Sequence, residues 1–238
     1  MIKINVSGLN VQIDNKYSYL ENLCKDYFCD FEVADIEVSA SDDEIRNNRA
    51  ISKRDFSDGY FESVCVYRKI CKLLPLHNRL MLHSSVVKSS GNTVAFTGDS
   101  GAGKTTHTKF LLDNFGESLK VVNGDKPIIH IEKNKILAYG TPWRGEEGFG
   151  ENTSAELSII CFIEKAYENR IEKVDNSKIV SLLLEQFITP SLPKALSKHL
   201  ELVDILARKC EFYKLYCKAD NSAAILSYNT FFKRRNNL

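Results

Sequence analysis

The chain has almost no net charge, since 32 Lys and Arg offset 31 Asp and Glu to a formal +1 over 238 residues. Without an overall field, nothing global draws it to nucleic acid or an acidic membrane, so any anion must be met by a local arrangement. The one basic cluster, Lys233-Arg234-Arg235, reads as a solvated helix end. A paired cysteine framework is lacking too. The seven cysteines (Cys24, Cys29, Cys65, Cys71, Cys161, Cys210 and Cys217) are odd in number and contain no CxxC, and several sit in apolar runs such as Ile159-Ile160-Cys161-Phe162. That pattern predicts reduced, buried thiols and speaks against a disulfide frame or a structural zinc site. No apolar run approaches a bilayer span, and there is neither an internal repeat nor a low-complexity tract. The opening MIKINVSGLNVQID alternates polar and apolar residues, which predicts a strand and not a signal peptide. The expectation is a soluble, cytoplasmic protein with neither nucleic acid nor membrane as partner. What is present is ordinary for a globular chain, 43% hydrophobic and 26% charged, enough for one large domain or a core with an appendage.

The pattern along the chain predicts a β-rich section over residues 1–58 and a larger core over 59–238. Ile2-Ile4-Val6 and Val11-Ile13 alternate around a turn at Gly8-Leu9-Asn10, predicting a hairpin, and residues 31–33 and 36–38 read as further short strands. The polar run 39–58 reads as a loop or boundary. Phe61, Val64, Tyr67, Cys71 and Leu74 recur at helical spacing before Pro75. Residues 80–87 read as one buried strand containing His83, and 93–97 as another. A helix follows over 106–114, a strand over 120–123, a hairpin over 127–139 and a strand over 156–164. The last third predicts helices over 179–188 and 195–207, a strand over 212–217, and a final helix over 221–232 capped by Asn221 or Ser222.

The informative segment is Gly98-Asp99-Ser100-Gly101-Ala102-Gly103-Lys104-Thr105, which fits GxxxxGK followed by Ser or Thr. Glycines let backbone N–H groups come close to phosphate oxygens. The helix that follows adds its positive end, Lys104 brings a point charge to β and γ phosphates, and the Thr105 hydroxyl can complete a Mg²⁺ shell. A strand before the loop and a helix after it supply the required context. Thr106 closes the same segment.

Phosphoryl transfer also needs a carboxylate for the metal. Asp125, in Val121-Val122-Asn123-Gly124-Asp125-Lys126-Pro127, ends the strand after that helix, on the edge where the phosphates would lie. Asn-Gly-Asp also suits a plain turn. Leu82-His83-Ser84-Ser85-Val86-Val87, then GDSGAGKTT, the Asn-Gly-Asp strand end and Tyr139-Gly140-Thr141-Pro142-Trp143 together resemble the HPr kinase/phosphorylase family, and most closely its HPr kinase-like branch associated with modification of ribosomally made peptides. The resemblance covers roughly a third of the chain, from His83 to about Glu164. It implies an α/β fold with a P-loop-containing mixed sheet of the HPr kinase/phosphoenolpyruvate carboxykinase type, a β-rich N-terminal section and a helical C-terminal part. It places residues 98–105 on ATP phosphates, Asp125 on the metal and His83 near the phosphates, and family members often form rings or dimers, so a homo-oligomer is an expectation. Two positions depart from the family. Its strand ends in two aspartates, and here the first is Gly124; its P-loop hydroxyl is followed by an acidic residue, and here that is Thr106.

These departures leave the general base open between His83, which could equally be a satisfied core group, and Asp99, which could equally stabilise the loop turn. His107 reads as an exposed or packing residue facing away from the loop mouth. In Trp143-Arg144-Gly145-Glu146-Glu147-Gly148, Arg144 suits the neutralisation of transition-state charge. The single tryptophan, Trp143, suits stacking on a base, gripping a peptide, or filling the core. The resulting expectation is an ATP- and Mg²⁺-dependent kinase acting on a serine-type hydroxyl of a peptide or small protein, with Lys104, Asp125, Arg144 and one of His83 or Asp99 in the chemistry. A small-molecule kinase on the same fold and a nucleotide-sensing module without transfer are the alternatives.

Overall fold

In the computed structural model, which describes residues 1–233, strands Ile2–Val6 (β1) and Leu9–Asp14 (β2) bury alternate residues. Val6 pairs with Leu9, so the turn is Ser7-Gly8, one residue earlier than the sequence suggests. Both turn residues have positive φ, 52° and 77°, the two-residue geometry that matches strand twist. Helix α1 (Ser18–Cys24) buries Leu20 and Cys24 one turn apart, and β3 (Ile36–Ser39) adds parallel to β2.

Two expectations in this section fail. Residues 31–33 form no strand, and Val33 is 77% exposed; an extended tripeptide with no neighbour to pair gains nothing from being β. The polar run 39–58 contains helix α2 (Asp42–Ile51), started by a capping box between Ser41 and Glu44. Ile45 is its one buried residue, so almost no apolar stripe betrays it. Helix α3 (Asp58–Leu73) begins on a Ser57 cap and packs in one hydrophobic core with the first sheet, Met81, Ile128 and Trp143. Pro75 falls in the tight turn Leu74–His77 that follows it.

The expected single strand over 80–87 is two, β4 (Arg79–Met81) and β5 (Ser84–Lys88). The chain changes sheets at Leu82-His83, where the Leu82 N–H donates to Pro127 O and the His83 N–H to Gln186 O. Both strands are buried, so hydrophobicity runs through the break unmarked. Next come β6 (Thr93–Thr97), α4 (Lys104–Phe115), β7 (Lys120–Asn123), β8 (Ile128–Ile131) and β9 (Ile136–Tyr139). The strand expected over 156–164 is likewise split, into β10 (Ser154–Glu156) and β11 (Ile159–Lys165). The unforeseen β12 (Arg170–Lys173), an exposed charged edge, precedes α5 (Asn176–Leu184), α6 (Pro193–Lys209), β13 (Glu211–Cys217) and α7 (Asn221–Phe231). Asp220, not Asn221 or Ser222, caps α7 by accepting from the Ser222 and Ala223 N–H groups. Lys233 lies beyond that helix, and Arg234 and Arg235 are outside the described residues.

The fold is thus α/β, with strand orders β1-β2-β3, β10-β9-β8-β4 and β12-β13-β11-β6-β5-β7. The six-stranded sheet is sandwiched. Val94, Phe96, Cys161 and Ile163 face the side that carries Leu111 of α4 and Ala223 of α7. Ala95, Ile160 and Phe162 face Ile179 of α5 and Leu202 of α6, which is the period-2 alternation of a strand buried on both faces. Strand β5 runs antiparallel to both neighbours, β6 and β7. The start of β5 and the ends of β6 and β7 therefore share one edge of the sheet. Six cysteines are buried, whereas Cys29 is exposed. Among the described residues no helix is long and apolar enough to cross a membrane.

Candidate functional site

That shared edge carries His83, the glycine loop and Asp125. The loop leaves β6 at Gly98, whose φ is +143° and whose missing Cβ would lie 2.7 Å from Ile163 O on the next strand. A side chain there would push the loop off the sheet. Gly103, at φ +104°, turns the chain into α4 and offers no side chain to cap it. The first amides of that helix have no intrahelical acceptor, so a positive, uncapped end points out of the sheet edge. Thr105 and Thr106 are exposed in this first turn, as are Asp99, Ser100 and Gly101, with Ala102 half-buried.

Lys104 is buried, and its Nζ donates to Gly98 O at 2.9 Å and Asp99 O at 3.1 Å. Burial, helped by the nearby charge of Lys126, pushes its ammonium down to about 8. The loop thus closes on its own lysine and lodges a costly charge where an anion would relieve it.

Asp125 is held by turn chemistry, so the turn and the site use the same residues. Asn123 Oδ1 accepts from the Asp125 and Lys126 N–H groups at 2.9 and 2.7 Å, while its Nδ2 donates to Thr141 O. The Asp125 Oδ1 lies 3.3 Å from His83 Nε2 and 3.0 Å from Lys126 Nζ. Burial raises this carboxyl, and the hydrogen bond from His83 with the charge of Lys126 outweighs it, holding the group below the usual carboxylate range. His83 is thereby a half-buried partner of Asp125.

Gly124 has a local cause. A Cβ there would lie 2.8 Å from Arg144 O and 3.1 Å from Phe149 O, because the segment 144–150 crosses directly over it. Gly145 in turn rests on Asp125, its ideal Cβ 3.2 Å from that of the aspartate. A second acid cannot be accommodated at 124 with this crossing in place. Arg144 is not brought to the loop: its Nη2 donates to Asp26 Oδ2 at 2.9 Å and its guanidinium lies 5.7 Å from the Tyr27 ring centre. Trp143 is 8% exposed within the first core, 6.0 Å from Tyr67. His107 is a packing residue, its Nε2 2.9 Å from Ser227 Oγ and its ring edge-on to Phe96; burial pushes it down to about 4.

Two residues in the arrangement carry little signal in the sequence. Gln186 is buried, and its Oε1 accepts from Thr97 Oγ1 at 3.0 Å and Gly98 N at 3.2 Å while its backbone accepts from His83 N. It joins the root of the loop to His83. Lys126 is marked in the sequence only by its place beside Asp125. Cavities of about 350 and 420 Å³ open on either side of the loop, and a third, of about 670 Å³, opens at Asp125. No cluster of three or more His, Cys, Asp or Glu among the described residues is arranged to hold a metal by itself. A Mg²⁺ bound here would need phosphate oxygens beside the carboxylate of Asp125 and the hydroxyl of Thr105, a hard-oxygen set that suits this cation.

No family model matches the chain, and no curated protein matches it. Among solved structures it is similar to the Hpr(Ser) kinase/phosphatase from Coxiella burnetii at 11% identity, over 63% of this chain and 86% of that one, with a TM-score of 0.38. At that TM-score the two backbones diverge too far for the likeness to say anything of this chain.

Proposed function

We propose that the chain is an ATP- and Mg²⁺-dependent kinase that phosphorylates a serine-type hydroxyl on a peptide or small protein. The observation that carries this reading is the convergence of three separate segments on one sheet edge: a phosphate-type loop with a buried cation, a depressed carboxylate, and a histidine 3.3 Å from that carboxylate. In this reading Lys104 leaves the Gly98 and Asp99 carbonyls for the β and γ phosphates, and the loop amides and the end of α4 hold the remaining oxygens. Thr105 and Asp125 would hold Mg²⁺, which supplies charge neutralisation at the phosphates. The acceptor hydroxyl oxygen forms a bond to the γ phosphorus as the bond to the β,γ-bridging oxygen breaks. The electron pair of that broken bond leaves on ADP, and the hydroxyl proton passes to His83, whose imidazolium Asp125 stabilises. Asp99, exposed and with its side chain free of the loop, is the alternative acceptor of that proton.

Incubation with γ-labelled ATP and candidate acceptors tests the reading. Label should move to a hydroxyl with wild type, and His83→Ala should bind ATP yet transfer at a small fraction of the rate. Transfer at the wild-type rate by His83→Ala would remove the histidine from the chemistry. Tight ATP binding without transfer to any acceptor or to water would favour a nucleotide-sensing module, a reading that the closed position at Gly124 keeps in view.

A further inference from the structure

We propose that the cleft at Asp125 is the acceptor site and that it selects an acidic peptide segment with an aromatic residue beside its hydroxyl; this rests on the kinase reading above. The cleft, about 670 Å³, lies between α3, the turn after α1 and the segment 142–148, with Asp125 and Lys126 in its lining. Its size falls in the range of specific ligand pockets, ~300–1,000 Å³, room for a few side chains and no folded domain. No residue of the glycine loop lines it. Nucleotide and acceptor therefore reach the Asp125 edge from different sides, as a transfer between two bound molecules requires.

The chemistry of the walls defines the occupant. Tyr60, Tyr67 and the largely buried Trp143 are among the lining residues, aromatic surface that pairs best with another ring or a bulky apolar group. The Trp143 indole N–H behind this wall is buried without a hydrogen-bond partner. The charges do not balance. Asp26 is matched by Arg144, Glu146 by Arg54, and Asp125 by Lys126. Lys25 and Arg68 also line the cleft, and among the described residues neither has a carboxylate partner; Arg68 donates to the neutral Asn48 Oδ1 at 2.6 Å. Two unmatched cations beside an aromatic wall call for an occupant that carries carboxylates.

The test is a degenerate peptide library with one fixed serine, phosphorylated with γ-labelled ATP and sequenced for enrichment, run with wild type and with Lys25→Glu/Arg68→Glu. Folding of the variant is checked by its circular dichroism melt. Wild type should enrich Asp or Glu together with Phe, Tyr or Trp near the serine. The double reversal should cut the acidic preference by roughly two- to fivefold per reversed charge, in line with exposed pairs. Bound library peptide should also change the fluorescence of Trp143, the only tryptophan in the chain, with or without ATP. Transfer spread evenly over the library, or an acidic preference untouched by the reversal, would overturn the acceptor site and leave the kinase reading standing. Absence of transfer to any peptide or metabolite, with ATP bound, would overturn the kinase reading itself.

Discussion

Replacing Lys104 by methionine should stabilise the ligand-free protein while abolishing its response to nucleotide. The lysine is 7% exposed, and its ammonium is pushed from 10.5 to about 8. At ~1.36 kcal/mol per pKa unit, holding it charged at neutral pH costs the folded state roughly 3 kcal/mol relative to its neutral form. Methionine keeps the length and apolar stem but leaves the buried Gly98 O and the part-buried Asp99 O without their Nζ donor, which together return roughly 1–2 kcal/mol of that gain. The net expectation is ~1–2 kcal/mol of added stability at pH 7, a rise in Tm of roughly 2–8 °C for a chain of this size. The sign with pH follows from the depressed folded pKa. The penalty is complete below about pH 8 and is relieved as wild type sheds the proton between pH 8 and 10.5, so the gap should narrow over that window by up to ~1.4 kcal/mol per pH unit. Urea unfolding with and without Mg·ATP reads both effects. Wild type should gain about 2.7 kcal/mol at a hundredfold excess over Kd, and the variant nothing. A variant less stable than wild type at every pH would show that the buried ammonium carries no penalty, and one stabilised equally by Mg·ATP would take Lys104 off the phosphates.

Gly124→Asp restores the acid that the resemblance leads one to expect, but its Cβ would meet the Arg144 and Phe149 carbonyls. It should cost at least ~1–3 kcal/mol in thermal unfolding and bring no gain in transfer. Asp125→Asn should move the Mg²⁺ midpoint of transfer to higher concentration by roughly tenfold or more, as loss of a ligand carboxylate does; an unaltered Mg²⁺ titration would take Asp125 off the metal. His107 is buried and pushed from 6.5 to about 4, so it contributes stability that is present above pH 6.5 and lost as pH falls through 4. Wild type should lose roughly 3 kcal/mol more than His107→Leu across that window in urea midpoints, and parallel curves would contradict the burial.

The glycine loop and its helix were legible because their constraints are local: positive-φ glycines, a lysine and a strand that must precede them. Asp125 was legible for a similar reason, since Asn123 builds its turn from the two residues that follow. The crossing of segment 144–150 was not, because Gly124 meets carbonyls twenty residues and more away in sequence, and a bare glycine gives no hint of what lies above it. The charge of Arg144 by itself points to phosphate, whereas its partner Asp26 lies 118 residues away. Gln186, in the turn after α5, carries no local signal for a side chain that braces Gly98. Helix α2 hid behind its solvated faces, although its capping box was in plain view, and the change of sheet at Leu82-His83 hid because both strands are buried.

Isothermal titration of Mg·ATP into wild type and Lys104→Ala measures whether the glycine loop binds nucleotide. Wild type should bind one nucleotide per chain with micromolar or tighter Kd, and the alanine variant, folded by its circular dichroism, should lose at least a hundredfold in affinity, the loss of a charge-assisted contact in a desolvated site. No binding to wild type at millimolar Mg·ATP, or equal affinity in the two proteins, would mean that the loop and Lys104 are not a nucleotide site.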